Sequence, residues 1–441
     1  MTRPELRSLA LVAALTVGLV PGARPAWGQT PTVAAPPINE SFAIHHPVVG
    51  RRGMVATQNA AATRVGVEIL EQGGNAVDAA VAVGLALAVT LPRAGNLGGG
   101  GFMLVHLAEE GRTVAIDFRE TAPALAHRDM YFGPDGEVDE NEYRFSHRSS
   151  GVPGTVAGLD HILKRYGTMT WAQVVEPALR LARDGIVVTD DLAENLRASK
   201  ERLTRNPASA KAFYRSDGSD YQVGEVLRQP DLAWTLEQLR DAGADAFYRG
   251  AVADRIVADM EAHAGTLTRE DLAGYRVVER EPVAGTYNGF DVRAMSAPSS
   301  GGMHIVQMLN ILERFPLAEM GYGSADAMHV MAEAMKLAYA DRSKYLGDPD
   351  FVELPVEQLT SKAYAESLAQ GIDLTRARPS SEIAPGDLTP YESPETTHYS
   401  VMDAAGNAVA NTTTLMFSYG SGVVIEGAGF LMNNNMGNFT L

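Results

Sequence analysis

The chain has 441 residues, 45% hydrophobic and 21% charged, an ordinary globular balance that excludes a disordered or fibrous protein. Its net charge of −17 repels phosphate backbones and no basic stripe offsets it, so nucleic acid is excluded as a partner. It contains no cysteine, which removes thiol nucleophiles, cysteine–zinc sites and disulfides together.

Residues 1–28 read as a signal peptide. Arg3 and Arg7 supply a positive start, 9–20 is apolar, and Ala26-Trp27-Gly28 offers small residues for cleavage. The apolar run is shorter than the roughly twenty residues that span a bilayer. Export to the periplasm or medium is therefore expected, with no membrane span in the mature chain. Residues 29–52 form a Pro-rich leader.

Helix signals follow at 58–72, ended by Gly73-Gly74, and at 76–90, ended by Pro92. The run 79–91 is the most apolar of the later chain and reads as a buried helix, bounded by Asp78 and Arg93. Gly98 to Gly101 form a close-packed turn into a strand at 102–106, with 114–118 as its partner. The stretch 152–260 is mostly helical, and 277–294 returns to strands around the turn Tyr287-Asn288-Gly289. Ser299 and Ser300 read as a helix N-cap. A long helix at 324–345 is expected to place Met328, Met331, Met335, Leu337 and Ala338 on its core face. Prolines 379, 385, 390 and 394 then mark a mobile connection at 377–394.

A hairpin follows that connection. Thr397, Tyr399 and Val401 alternate with His398, Ser400 and Met402, Ala405-Gly406-Asn407 turns the chain, and 408–415 returns. Opposed residues in an antiparallel pair have a constant index sum, which sets Thr396 against Thr414 or Leu415. Two hydroxyls would then meet where the connection ends. A threonine hydroxyl needs a base beside it to act as a nucleophile, and a free α-amine on the same residue is one. Cutting the chain between Glu395 and Thr396 would create that amine. Strand propensity alone also accounts for Thr412-Thr413-Thr414. Pattern alone leaves the class open between α/β and α+β.

The run T-T-H-Y-S-V at 396–401 followed by G-N-A-V at 406–409 resembles the start of the small subunit of γ-glutamyltransferases (γ-glutamyltranspeptidases, glutathione hydrolases), within the N-terminal nucleophile hydrolase superfamily. Four upstream segments are similar too: G-N-L-G-G-G-G-F-M at 95–103, D-F-R-E-T-A-P at 117–123, G-V-P-G-T-V-A-G at 151–158 and P-S-S-G-G at 298–302. The resemblance implies an α+β, four-layer αββα sandwich, with 53–395 as the large-subunit region and 396–441 as the start of the small-subunit region. It implies self-cleavage at Glu395–Thr396, fragments that stay associated, and transfer of γ-glutamyl groups from glutathione-like amides to water or to an amine or peptide acceptor. Thr396 matches the nucleophile, Thr414 the threonine that hydrogen-bonds it, and Arg119 the arginine that holds the substrate α-carboxylate, a task suited to a guanidinium fork. A salt bridge to Glu120 or Asp117 is the plain alternative for Arg119. The expected chemistry needs no cofactor and no metal, and the ten histidines include no H-E-x-x-H spacing. His398 reads as structural.

Three positions depart from the family pattern. Met416 stands where asparagine is usual, Asn435 where glutamine or glutamate is usual, and Asn438 where an aspartate pairs with the substrate α-ammonium. Asn435 and Asn438 remain the substrate-binding candidates beside Arg119. Loss of that carboxylate admits an alternative, a glutaryl-type amidase resembling cephalosporin acylases. Family members also continue beyond Phe439, so the chain reads as C-terminally truncated, and a non-catalytic binding relative is the further alternative.

Overall fold

The computed structural model describes residues 48–383 and 396–439. Residues 50–441 belong to one compact unit. The expected signal peptide, most of the Pro-rich leader and Glu395 lie outside the described residues.

The fold is organised around its most apolar helix. Helix α1 (Ala60–Glu71) leads through Gly73-Gly74 into α2 (Ala76–Thr90), and every residue of α2 is buried. A helix apolar on all sides must be enclosed on all sides. Its entry is fixed by a capping box, in which the Asn75 side chain accepts from the backbone N–H of Val77 and Asp78 while Asp78 accepts from the Asn75 N–H. Asp78 is fully buried and also accepts from Thr168 N, Thr168 Oγ1 and Met169 N at 2.8, 2.6 and 3.0 Å. That carboxylate therefore joins α2 to the chain ninety residues on.

The strands, in chain order, are β1 (Gly53–Ala56), β2 (Gly100–Leu107), β3 (Arg112–Phe118), β4 (Ile186–Val187), β5 (Val226–Leu227), β6 (Val278–Arg280), β7 (Val283–Tyr287), β8 (Phe290–Ala294), β9 (Thr396–Asp403) and β10 (Ala408–Thr414). Six of them make one antiparallel sheet in the order β1-β9-β10-β2-β3-β6. Thr397, Tyr399 and Val401 point into the core against α2, while Thr396, His398, Ser400 and Met402 point away. Tyr399 reaches α2 and donates to the Ala80 carbonyl at 2.9 Å. Gly84 makes room for it, since a Cβ there would sit 2.8 Å from the tyrosine oxygen. Helices thus cover one face of the sheet, and its opposite face along β9 is exposed among the described residues. The class is α+β, as expected, with one helical layer and one sheet of the sandwich laid out here.

The expected helices at 58–72 and 76–90 and the expected hairpin all form. The long helix forms as Ala325–Tyr345, but its orientation corrects the expectation: Met328, Met331 and Met335 are 63%, 47% and 46% exposed, whereas Leu337 and Ala338 are buried. This helix carries two apolar stripes, so helical spacing alone did not separate them. The face chosen, with Ala334 and Leu337 packed near Ile311 of the helix Ser300–Leu312, offers small residues and a closer approach.

Replacing Asp78 by alanine leaves several buried donors unpaired. Asp78→Ala is expected to cost about 3 kcal/mol or more of stability, read from the urea midpoint with unchanged slope.

Candidate active site

The hairpin register is Thr396 opposite Thr414, with Ala408 opposite Met402 at the other end. The two threonine hydroxyls lie 3.4 Å apart, Thr396 exposed and Thr414 buried. Thr414 Oγ1 also accepts from Met416 N at 2.9 Å. Met416 takes φ +81°, a left-handed conformation unusual for a residue with a long side chain, and this bend turns its N–H back onto the threonine.

Both threonines open into a cleft of about 1000 Å³. Arg119, Asn435 and Asn438 line the same cleft, so the structure brings together the five candidates Thr396, Thr414, Arg119, Asn435 and Asn438, with Met416 beside them. Arg119 follows directly on β3. Its backbone N–H donates to Asp117 Oδ1 at 3.0 Å and its carbonyl accepts from Tyr275 at 2.8 Å, so the backbone is held from both sides. Its Nη2 donates to Asn435 Oδ1 at 3.1 Å, and Asn438 Nδ2 donates to the same oxygen at 2.8 Å. The guanidinium also lies over the Phe102 ring at 5.8 Å.

Glu120, beside it, is almost wholly buried. Oε1 accepts from Asn435 Nδ2 at 2.5 Å, while Oε2 has no hydrogen-bond partner. Arg119 Nε lies 3.8 Å from that oxygen, close enough for charge attraction and too far for a hydrogen bond. The salt-bridge alternative for Arg119 is thus present, but weak in geometry. Burial drives the Glu120 carboxyl above its ordinary value, opposed by the Arg119 charge. Gly100 is needed here, because a Cβ on it would meet Glu120 Oε2 at 2.7 Å.

His398 points to the same side of the strand as Thr396, and its ring nitrogens pair with Thr412 Oγ1 at 2.8 Å and Ser400 Oγ at 3.2 Å. Burial lowers its proton affinity. Both nitrogens are committed to neighbouring strand hydroxyls, which fits a structural role.

Sequence reasoning missed part of the cleft wall. Ser299 does cap the helix Ser300–Leu312, as expected, yet Ser299 and Ser300 also line the cleft. Tyr143, Arg144, Arg342 and Asp348 line it as well. Arg342 lies four residues after Ala338 on the same helix, so its face was readable once Ala338 was placed in the core. Tyr143 and Arg144 sit on a five-residue helix, Glu140–Arg144, too short to carry a periodic signal.

An α+β fold whose sheet delivers a strand-opening threonine to a cleft defines the N-terminal nucleophile class of hydrolases. Within it, the chain belongs to the γ-glutamyltranspeptidase family: the model described as Gamma-glutamyltranspeptidase matches residues 62–441. The glutathione hydrolase proenzyme of Escherichia coli strain K12 is 53% identical over 408 residues, covering 92% of this chain and 70% of that relative. The crystal structure of Helicobacter pylori γ-glutamyltranspeptidase is 44% identical with a TM-score of 0.74, covering 80% of this chain and all of that one. A cephalosporin acylase from Bacillus halodurans is 30% identical with a TM-score of 0.77, covering 92% and 73%. The enzyme class is therefore γ-glutamyltransferase and glutathione hydrolase.

The raised Glu120 carboxyl has a testable sign. A carboxyl that binds its proton more tightly when folded favours the fold below its ordinary value of 4.5, and that contribution is lost as pH rises through 4.5 towards the raised value. The stability of Glu120→Gln relative to wild type is expected to shift in the variant's favour as pH rises above 4.5, measured by urea unfolding across pH. A pH-independent difference would contradict the assignment.

Proposed function

We propose that Thr396 is the nucleophile of this γ-glutamyl enzyme, released as a chain terminus by cleavage of the Glu395–Thr396 bond. The observation that carries this is the pairing of Thr396 with Thr414 at the mouth of the cleft that also holds Arg119. In the reaction, Thr396 Oγ attacks the γ-amide carbonyl and its own α-amine takes the hydroxyl proton. The proton passes to the leaving amine, and an ester to Thr396 remains. Water, or an amine or peptide acceptor, then releases the γ-glutamyl group. Thr414, held by Met416 N, orients the Thr396 hydroxyl. Arg119 takes the substrate α-carboxylate, with Asn435 and Asn438 fixing the guanidinium and facing the α-amino side.

The large (53–395) and small (396–441) regions stay associated after the cut. Two strand pairings between the regions support this: β9 with β1, and β10 with β2. The enzyme acts after export, a reading supported by Arg3, Arg7 and the apolar run at 9–20. No helix among the described residues is long and apolar enough to cross a membrane.

One denaturing gel tests the nucleophile. Purified full-length protein yields two fragments, the smaller beginning at Thr396 by N-terminal sequencing, while Thr396→Ala stays one chain. A wild-type chain that stays intact would defeat this reading and favour the binding relative.

Substrate anilides test the pocket. Arg119→Ala lowers kcat/KM for a γ-glutamyl anilide by about 10- to 150-fold, the equivalent of about 1.5–3 kcal/mol for a lost charged contact. Wild type prefers the γ-glutamyl over the glutaryl anilide, and Asn438→Asp widens that preference roughly tenfold by restoring a charge-assisted partner for the α-ammonium. Equal rates on both anilides in wild type would favour the glutaryl-type amidase instead.

A further inference from the structure

We propose that His147, Asp259 and His263 form a binding site for a divalent transition-metal ion such as Zn²⁺, separate from the catalytic cleft. His147 belongs to the 3₁₀ turn His147–Ser149, and Asp259 lies near the end of the helix Ala251–Ala262, whose C-cap is His263. His147 Nε2 lies 3.2 Å from Asp259 Oδ2, and His263 Nδ1 lies 3.5 Å from Asp259 Oδ1. One ligand atom from each residue falls within 4.8 Å of the others. Ligand atoms around a tetrahedral zinc ion with bonds of about 2.0–2.1 Å stand about 3.3 Å apart, so the three side chains need only a small inward movement to share an ion, with each imidazole already beside one oxygen of the Asp259 carboxylate. Asp259 and His263 are four apart, which places both on one side of the helix end.

The electrostatics point the same way. Asp259 is buried, and its only ion-pair partners among the described residues are these two imidazoles. A buried carboxylate needs a compensating positive charge. Imidazole supplies one only when protonated, whereas a divalent ion supplies it with the rings neutral. The two rings are stacked, with centroids 4.4 Å apart and planes at 7°, an arrangement that two imidazolium charges would oppose, and the half-exposed His263 ring has to turn out of the stack for both in-plane lone pairs to meet one ion. Two imidazoles and one carboxylate suit zinc and its first-row neighbours rather than calcium or magnesium.

The wall of the site is asymmetric. His147 and Asp259 are buried, while the His263 side chain is 45% exposed and opens the fourth position to water. His263 Nδ1 lies 2.9 Å from the Asp259 carbonyl, and a turn of this half-exposed ring would exchange that carbonyl for the ion. The ion would clamp the helix end to the segment around His147. That segment runs from cleft-lining Tyr143 and Arg144 to Gly151, whose N–H donates to Asn433 Oδ1 at 2.8 Å. The site therefore braces one wall of the cleft without entering it.

The test uses full-length, tag-free protein titrated with Co²⁺ and followed by visible absorption, with Zn²⁺ as competitor. One equivalent of Co²⁺ binds with a ligand-field band, Zn²⁺ displaces it, and Zn²⁺ raises the Tm. His263→Ala, at a half-exposed position, weakens binding about a hundredfold or more, and Asp259→Asn, which conserves volume, does likewise. Substitution of the exposed His127 by alanine leaves binding unchanged. Absence of saturable binding, or equal affinity in wild type and His263→Ala, would overturn the site.

Discussion

The geometry of the cleft depends on one constraint, the facing of β9. Residues alternate across a strand, so a slip of one position would bury Thr396 and expose Tyr399. Helix α2 prevents the slip. It presents an apolar surface that accepts Thr397, Tyr399 and Val401, and the Tyr399 hydroxyl finds the Ala80 carbonyl only in this register. A slip would forfeit the burial of a large aromatic side chain together with this hydrogen bond, which makes the alternative register rare. The position of Thr396 is thus determined by groups one to five residues away, none of which faces the cleft.

A second layer of control comes from three consecutive asparagines. Asn433 donates to the carbonyls of Gly98 and Gly151 at 2.8 Å each, and its Oδ1 accepts from Gly151 N and Asn435 N. Asn434 donates to the Arg144 carbonyl and accepts from Phe417 N. Asn435 then holds Arg119 and Glu120. An amide has both donor and acceptor at one end, so each asparagine joins backbone segments that no sheet connects. The glycine turn, the 151 loop, the segment after β10 and the arginine share one network, and fully satisfied buried networks are stiff.

Much of this was legible in the sequence, and the reasons differ by element. The hairpin is readable because alternation and a turn signal together narrow the register to Thr396 opposite Thr414 or Leu415, and the sheet selects Thr414. The two N-terminal helices were readable because their ends carry caps and breakers. The methionine face of Ala325–Tyr345 was misread because two apolar stripes satisfy the same period, and packing against Ser300–Leu312 chose between them. Glu120 was seen only as a neighbour of Arg119. Its burial follows from Gly100, Asn435 and Arg119 meeting across more than three hundred positions, and local pattern does not report such contacts.

Glu120 also bears on the substrate role proposed for Arg119. An arginine fully engaged by a carboxylate has little left to offer a second one. Here the neighbouring acid is buried, its carboxyl is pushed above the ordinary range, and its nearer oxygen stands 3.8 Å from Nε rather than in bidentate contact. The side chain is instead positioned by neutral partners, the Asn435 amide and the Phe102 ring, which orient the guanidinium without cancelling its charge. A neutral holder leaves the fork open to an incoming carboxylate, since the ion pair to Glu120 is long and makes no hydrogen bond. The asparagines at 435 and 438 are both uncharged. They keep the positive charge of Arg119 available in the cleft that Thr396, the proposed nucleophile at the start of β9, also lines.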